Sequence, residues 1–184
     1  MSELLATRPD ILLDMETNMR YLALCALLAI PLVASAADST PDSKFYKAAA
    51  EGGMAEVETA RLAQDKSNNP KIKDFAAMMI KDHSAANDGL KTLAASKNVT
   101  LPSGPSIGQK ASKAKLEMLS GETFDKSYIK NQIQAHKGTA ALLRKEIATG
   151  QDPEAKAFAR KIQPTVRAHL KAIDEIAAAA GVKH

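Results

Sequence analysis

One stretch of the chain, residues 70–98, places apolar side chains at alternating steps of four and three residues. Side chains at this spacing share one face of an α-helix, and such a regular face is what a helix presents to a bundle core. The pattern predicts a long helix whose inner face consists of Ile72, Ala76, Met79, His83, Ala86, Leu90 and Leu93. His83 is the one polar residue on this face, so we expect it in the core, near the middle of the helix.

The same spacing predicts three more long helices, at about residues 44–67, 123–150 and 153–180. Asn68-Asn69-Pro70 links the first to the second and Gln151-Asp152-Pro153 links the third to the fourth, so each pair is expected to form an antiparallel hairpin. Pro164 lies inside the last helix and is expected to kink it or to cost a hydrogen bond. Gly181 is the expected C-terminal cap.

The segment between the two hairpins interrupts the pattern. Residues 98–108 are rich in Pro, Gly and Ser, and a short helix-prone stretch follows at 109–119. The two hairpins also repeat each other at an offset of 83 residues, because Pro70, Lys73, Phe75 and Ala76 recur as Pro153, Lys156, Phe158 and Ala159. The predicted fold class is all-α: a ferritin-like four-helix bundle of two helical hairpins joined by a long crossover containing a short helix.

Each predicted long helix carries one polar residue of the kind that ligates metals on its inner face. Counted from the hairpin turns at about 1.5 Å of rise per residue, the two residues of each hairpin lie level to within about 2–5 Å. Converging in the dry centre of a bundle, they would form a site for a single divalent transition metal, Zn, Cu, Fe or Mn. The predicted ligands are Glu56, His83, His136 and His169.

A purely structural layer is the alternative. Core histidines commonly pack and hydrogen-bond, and Glu56 could pair with a protonated imidazole. Met79 could add a soft ligand for copper, or it could simply fill the core. The di-iron pattern needs Glu-x-x-His on two helices, but Ile80 and Val166 stand three residues before His83 and His169. The sequence therefore disfavours an oxidase or ferroxidase and gives no positive sign of an enzyme.

The N-terminal segment has the features of a secretory signal. Residues 21–33 form an apolar run too short to span a bilayer, and Ala34-Ser35-Ala36 offers the small-x-small pattern that signal peptidase cleaves. We therefore expect residues 1–36 to comprise a signal peptide with an N-terminal extension, since a start at Met19 or Met15 fits a signal better. Residues 37–184 would form a single bundle domain, located in the periplasm or secreted.

Cleavage would also change the charge and the redox chemistry of the chain. It removes two basic and four acidic residues, so the formal net charge rises from +4 to +6. It also removes Cys25, the only cysteine, so the mature chain could form no intramolecular disulfide. The basic residues are scattered among acidic ones, which favours a solvated surface over a binding patch, although contact with an envelope component stays open. Export argues against a nucleic-acid partner, and no transmembrane segment would remain after cleavage.

The sequence resembles a bacterial family of exported proteins of unknown function, whose members often carry an outer-membrane label. The resemblance covers about residues 45–180 and rests on the blocks GGMAEV and MIKDHSAAN, on Phe124-Asp125-x-x-Tyr128, on His136 and on Pro164-x-x-x-x-His169-Leu170. It implies a ferritin-like fold and an envelope location. The predicted function is metal-ion binding through the Glu/His layer, in envelope or stress physiology; the alternative is a non-catalytic envelope or interaction module with a structural histidine layer.

Overall fold

A computed structural model describes residues 41–183, and the predicted signal peptide lies outside this range. The described part is all-α, as predicted, and contains no strand. Five helices follow one another along the chain: α1 (Pro41–Lys66), α2 (Pro70–Ser96), α3 (Ile107–Glu117), α4 (Gly121–Thr149) and α5 (Pro153–Ala179). None of these five combines the length and the apolar content that a membrane crossing requires.

The two hairpin turns are built in the same way. Asn69 caps α2 by accepting a hydrogen bond from the backbone of Lys71, and Asp152 caps α5 by accepting one from the backbone of Glu154. A proline at the first turn of each helix costs nothing there, because that backbone nitrogen has no intrahelical partner. These caps explain why the sequence repeat begins at a proline in both halves.

The crossover between α2 and α4 runs the length of the bundle. Asn98 adopts a left-handed conformation (φ 55°) just after α2 ends. Within the crossover, Ser106 and Gln109 form a reciprocal capping box that begins α3. The short helix predicted in the crossover is thus confirmed, beginning two residues earlier than expected.

Contacts at the two ends of the bundle fix the helix directions. Asp42, at the start of α1, accepts hydrogen bonds from the backbone of Gln151 and Asp152, at the start of α5. At the other end Lys66, the last residue of α1, donates to the backbone of Glu117. Because α1 also packs on α4, and α2 on α5, all neighbouring long helices run antiparallel. Two hairpins with one long crossover form the connectivity of ferritin-like folds.

The core is divided into two apolar clusters by a polar layer. The first cluster holds Phe75, Tyr128 and Ile173, and the second holds Phe45, Leu90 and Leu143. On each long helix the junction between the clusters falls at a buried polar residue: Glu56, His83, His136 or His169. These four residues therefore lie at about the same level along the bundle axis, as predicted. Met79 is fully buried in the first cluster, as the core-filling interpretation of this residue predicted.

Candidate metal centre

Three histidines meet at the centre of the bundle. His83 comes from α2, His136 from α4 and His169 from α5, and all three are buried. Their ring centroids are 5.4 to 5.6 Å apart. One nitrogen from each ring lies within 4.8 Å of one from each of the other two, a grouping that could hold a metal ion. Three helices at fixed heights thus bring together residues that are far apart in the chain.

Hydrogen bonds fix the orientation of two of these rings. Nδ1 of His136 lies 2.9 Å from the backbone oxygen of Gln132, one turn earlier on α4. Nε2 of His169 lies 2.9 Å from Oδ2 of Asp82, the residue before His83. A carbonyl and a carboxylate can only accept, so these two nitrogens carry the protons. The other nitrogen of each ring consequently keeps its lone pair.

Each of the three rings has one buried nitrogen without a hydrogen-bond partner. These atoms are Nε2 of His83, Nε2 of His136 and Nδ1 of His169. Buried polar atoms are nearly always satisfied, and leaving one unpaired costs about 1–3 kcal/mol. Each ring of the layer thus offers one buried nitrogen that a metal ion could satisfy.

Burial keeps the imidazoles neutral. Burial, together with the neighbouring His136 and His169, lowers the pKa of His83 to about 3, although Asp82 opposes the shift. Burial also lowers the pKa of His136, although Glu56 opposes the shift, and that of His169, although Asp82 opposes it. A metal ligand must be neutral imidazole, so near neutral pH these side chains stand in their ligating form.

Glu56 stands at the predicted height but faces the other side of His136. Its Oε1 lies 3.7 Å from Nδ1 of His136, the nitrogen that donates to Gln132. Burial raises the pKa of Glu56, although His136 and a hydrogen bond with Gln132 lower it. Nearby, the amide of Gln132 donates to Thr59 at 3.3 Å. The structure therefore brings three of the four predicted ligands together and places Glu56 behind one of them.

Sequence reasoning missed Asp82 and Gln132. Asp82 lies off the inner face of α2, where a carboxylate is expected to be solvated, yet it reaches across to His169 on α5. Its position next to His83 was the one available signal. Gln132 is fully buried on α4, and its place four residues before His136 is the spacing at which a helical side chain reaches a backbone oxygen.

The two sides of the histidine layer differ. On one side the ring of Phe75 packs against His136 and His169, with centroid distances of 6.3 and 6.5 Å. On the other side lies a cavity of about 410 Å³, which His83 and His169 help to line. The layer is thus covered by an aromatic ring on one side and bordered by open space on the other.

Two solved structures share this fold. One is a DUF305 protein from Streptomyces coelicolor, described as a candidate secreted protein, with a TM-score of 0.69, 15% identity, and coverage of 80% of this chain and 96% of that one. The other is a DUF305 fragment from Deinococcus radiodurans, with a TM-score of 0.66, 14% identity, and coverage of 74% of this chain and 94% of that one. At such identities the likeness shows the fold alone. No curated protein matches the chain significantly. The family model of DUF4142, a domain of unknown function, matches residues 29–176, and the chain belongs to that family.

Proposed function

We propose that this protein is a periplasmic metal-binding protein that holds one divalent transition ion through His83, His136 and His169. One observation carries the proposal: each of these three buried rings has a nitrogen without a partner, and one nitrogen from each lies within 4.8 Å of the others. Neutral imidazole suits Zn, Cu and Fe, whereas Mn prefers oxygen ligands. The donor set therefore favours Zn, Cu or Fe over Mn.

The residues around the rings support the same conclusion. Histidines that ligate metals almost always donate their other nitrogen to a carboxylate or a backbone carbonyl, which fixes the tautomer and the ring orientation. His169 donates to Asp82, and His136 donates to the backbone of Gln132. Asp82 would also supply a negative charge next to the dication, which three neutral imidazoles do not.

Glu56 has a supporting role in this proposal. Because it faces the protonated nitrogen of His136, we assign it to holding that ring rather than to ligating the ion. Loss of such a supporting group typically weakens metal affinity 10- to 100-fold, whereas loss of a ligand removes the site.

The proposed location rests on the signal-like N-terminus. An apolar run that ends in Ala34-Ser35-Ala36 supports export, and one protein of similar fold is described as a candidate secreted protein. The single long crossover supports a ferritin-like relationship. The DUF4142 match agrees with the resemblance to a family of unknown function, and its description names neither ferritins nor the outer membrane.

Thermal unfolding with and without added Zn²⁺ or Cu²⁺ tests the proposal. Ligand at about one hundred times its dissociation constant stabilises the folded state by about 2.7 kcal/mol, which raises Tm by about 5–10 °C for a protein of this size. Equilibrium dialysis of untagged protein should give one ion per chain. His83→Ala, His136→Ala and His169→Ala should each abolish most of the shift, while His184→Ala, at the chain end, should not.

Two further variants separate metal binding from a structural layer. In the metal-free protein His83→Leu should leave Tm unchanged or raise it, because a buried nitrogen without a partner is replaced by an apolar group. If the layer is structural instead, His83→Leu lowers Tm and metal has no effect on the wild type. Glu56→Gln should weaken metal binding without removing it. Unchanged metal shifts in all three His→Ala variants would refute the proposal.

A further inference from the structure

The cavity beside the histidine layer lies between all four long helices. Small residues of α1 and α2, among them Ala49, Gly52 and Ala86, form one part of its wall, where larger side chains would fill the space. Leu90, Leu143 and Phe158 give it an apolar body. Its volume of about 410 Å³ lies within the range of pockets that bind small molecules, about 300–1,000 Å³.

Polar and exposed residues mark where this cavity meets the solvent. Thr165 and Lys161 on α5 contribute to its lining and are exposed. Asp82, whose side chain is 31% exposed, lies at the level of the histidines. The cavity is therefore apolar within, polar at its opening, and bordered by His83 and His169 at its inner end.

The coordination of the proposed metal leads to the next step. Structural zinc sites are closed by four protein ligands, whereas sites with three protein ligands keep a fourth position for water or a substrate. Three imidazoles leave such a position here. Phe75 packs on His136 and His169 on the side away from the cavity, so we take the fourth position to face the cavity, which His83 and His169 line.

We infer that the cavity admits a small molecule with an apolar body and a single metal-binding nitrogen or oxygen, which takes the fourth position of the metal. This inference rests on the proposed function, since the ion supplies the anchor. The apolar wall would select for the body of the molecule, and the metal for its head group. The apolar residues that line the cavity, which the ion alone would not need, thus have a role in ligand binding.

Protein loaded with Co²⁺ provides the assay, because the visible absorption of Co²⁺ changes when a ligand joins or leaves its coordination shell. Imidazole and 4-phenylimidazole present the same nitrogen to the metal but differ by one phenyl group. Burial of that group in the cavity should make 4-phenylimidazole bind at least about tenfold more tightly than imidazole. Protein-bound cobalt, measured after gel filtration, must stay constant throughout the titration.

Cavity-filling variants locate the binding. Ala86→Leu on α2 and Ala49→Leu on α1 each add three carbons to different walls of the cavity, and both should weaken 4-phenylimidazole about tenfold or more. Ala135→Leu on α4 is the matched control, because it adds the same three carbons to a neighbouring cavity between α1, α3 and α4, and Ala135 does not line the first cavity. It should leave the preference for 4-phenylimidazole intact.

The outcomes distinguish this inference from the proposed function. If the protein binds Co²⁺ but imidazole and 4-phenylimidazole bind equally, or neither changes the spectrum, the inference is overturned while metal binding stands. If Ala135→Leu weakens 4-phenylimidazole as much as both cavity variants, the assigned cavity is wrong. If Co²⁺ itself does not bind, the proposed function fails and the inference fails with it.

Discussion

A buried carboxyl group at one end of the bundle should make stability depend on pH. Glu146 on α4 is 2% exposed, and burial together with a hydrogen bond to Asp42 raises its pKa to about 7. Burial alone would raise the pKa of Asp42, but hydrogen bonds from the backbone of Asp152, from Glu146 and from the backbone of Gln151 outweigh it and lower that pKa. Near pH 6 Glu146 therefore holds the proton that Asp42 accepts.

The direction of the effect follows from linkage. The folded-state pKa of Glu146 lies above the value of 4.5 for an unperturbed glutamate, so the folded state binds the proton more tightly than the unfolded chain. This stabilisation is complete below about pH 4.5 and is lost as pH rises through about 7. The difference of about 2.5 between the two pKa values corresponds to about 3.4 kcal/mol at most, and solvent at the bundle end reduces this to about 1–2 kcal/mol.

Glu146→Gln tests this reasoning, because glutamine keeps a donor for Asp42 and cannot ionise. The variant should match the wild type at pH 5 and unfold about 3–6 °C higher at pH 8. Glu175→Gln, an exposed position on α5, is the control for removing a charge and should show no such dependence. Chemical denaturation at four pH values between 5 and 8 gives the free energies directly. A difference between wild type and Glu146→Gln that stays constant across this range would refute the assignment.

Three further predictions concern the backbone and the N-terminus. A side-chain carbon at Gly53 would lie 1.9 Å from Oδ1 of Asn87, whereas the space around Gly138 is open. Gly138→Ala should therefore stabilise the protein by about 1 kcal/mol, and Gly53→Ala should stabilise it less. Thermal melts compare the two variants, and adding Asn87→Ala to Gly53→Ala should restore the gain in stability. Helix α5 runs through Pro164, which is exposed, so Pro164→Ala should keep or raise Tm, and a large loss would show that the proline is needed. N-terminal sequencing of protein from the cell envelope should begin at Ala37, and recovery of the intact chain from the cytoplasm would contradict export.

The fold was predictable because its signals are local. Spacing of apolar residues identified the four long helices, and the two proline turns set the hairpins. Helix bounds differ from the prediction by a few residues, since end residues depend on caps that periodicity does not reveal. The reason for a glycine inside α1 is not local either, because the side chain that approaches Gly53 is that of Asn87 on α2.

The sequence predicted where the site residues lie along the bundle axis, but not the direction in which their side chains point. Each residue advances a helix by about 1.5 Å, so counting from a turn places a side chain along the axis. It does not say which ring nitrogen faces a neighbour, because that depends on side-chain rotation and on partners in other helices. Glu56 shows the limit, since it shares the level of His136 yet faces its protonated nitrogen. The contact of Asp82 could not be predicted either, since its partner His169 lies 87 residues away in the chain.

The sequence repeat accounts for the asymmetry of the layer. Phe75 on α2 and Phe158 on α5 occupy equivalent positions, five residues after the proline that begins each helix. Because α2 and α5 are antiparallel, the two rings approach the histidines from opposite ends of the bundle. His83 follows Phe75 by eight residues, whereas His169 follows Phe158 by eleven, so the separations along the axis are about 12 and about 16.5 Å. Phe75 therefore reaches the histidine rings, while Phe158 stops about one helical turn short and lines the cavity instead. A displacement of about one turn between the two hairpins thus leaves the histidine layer covered by Phe75 on one side and bordered by the cavity on the other.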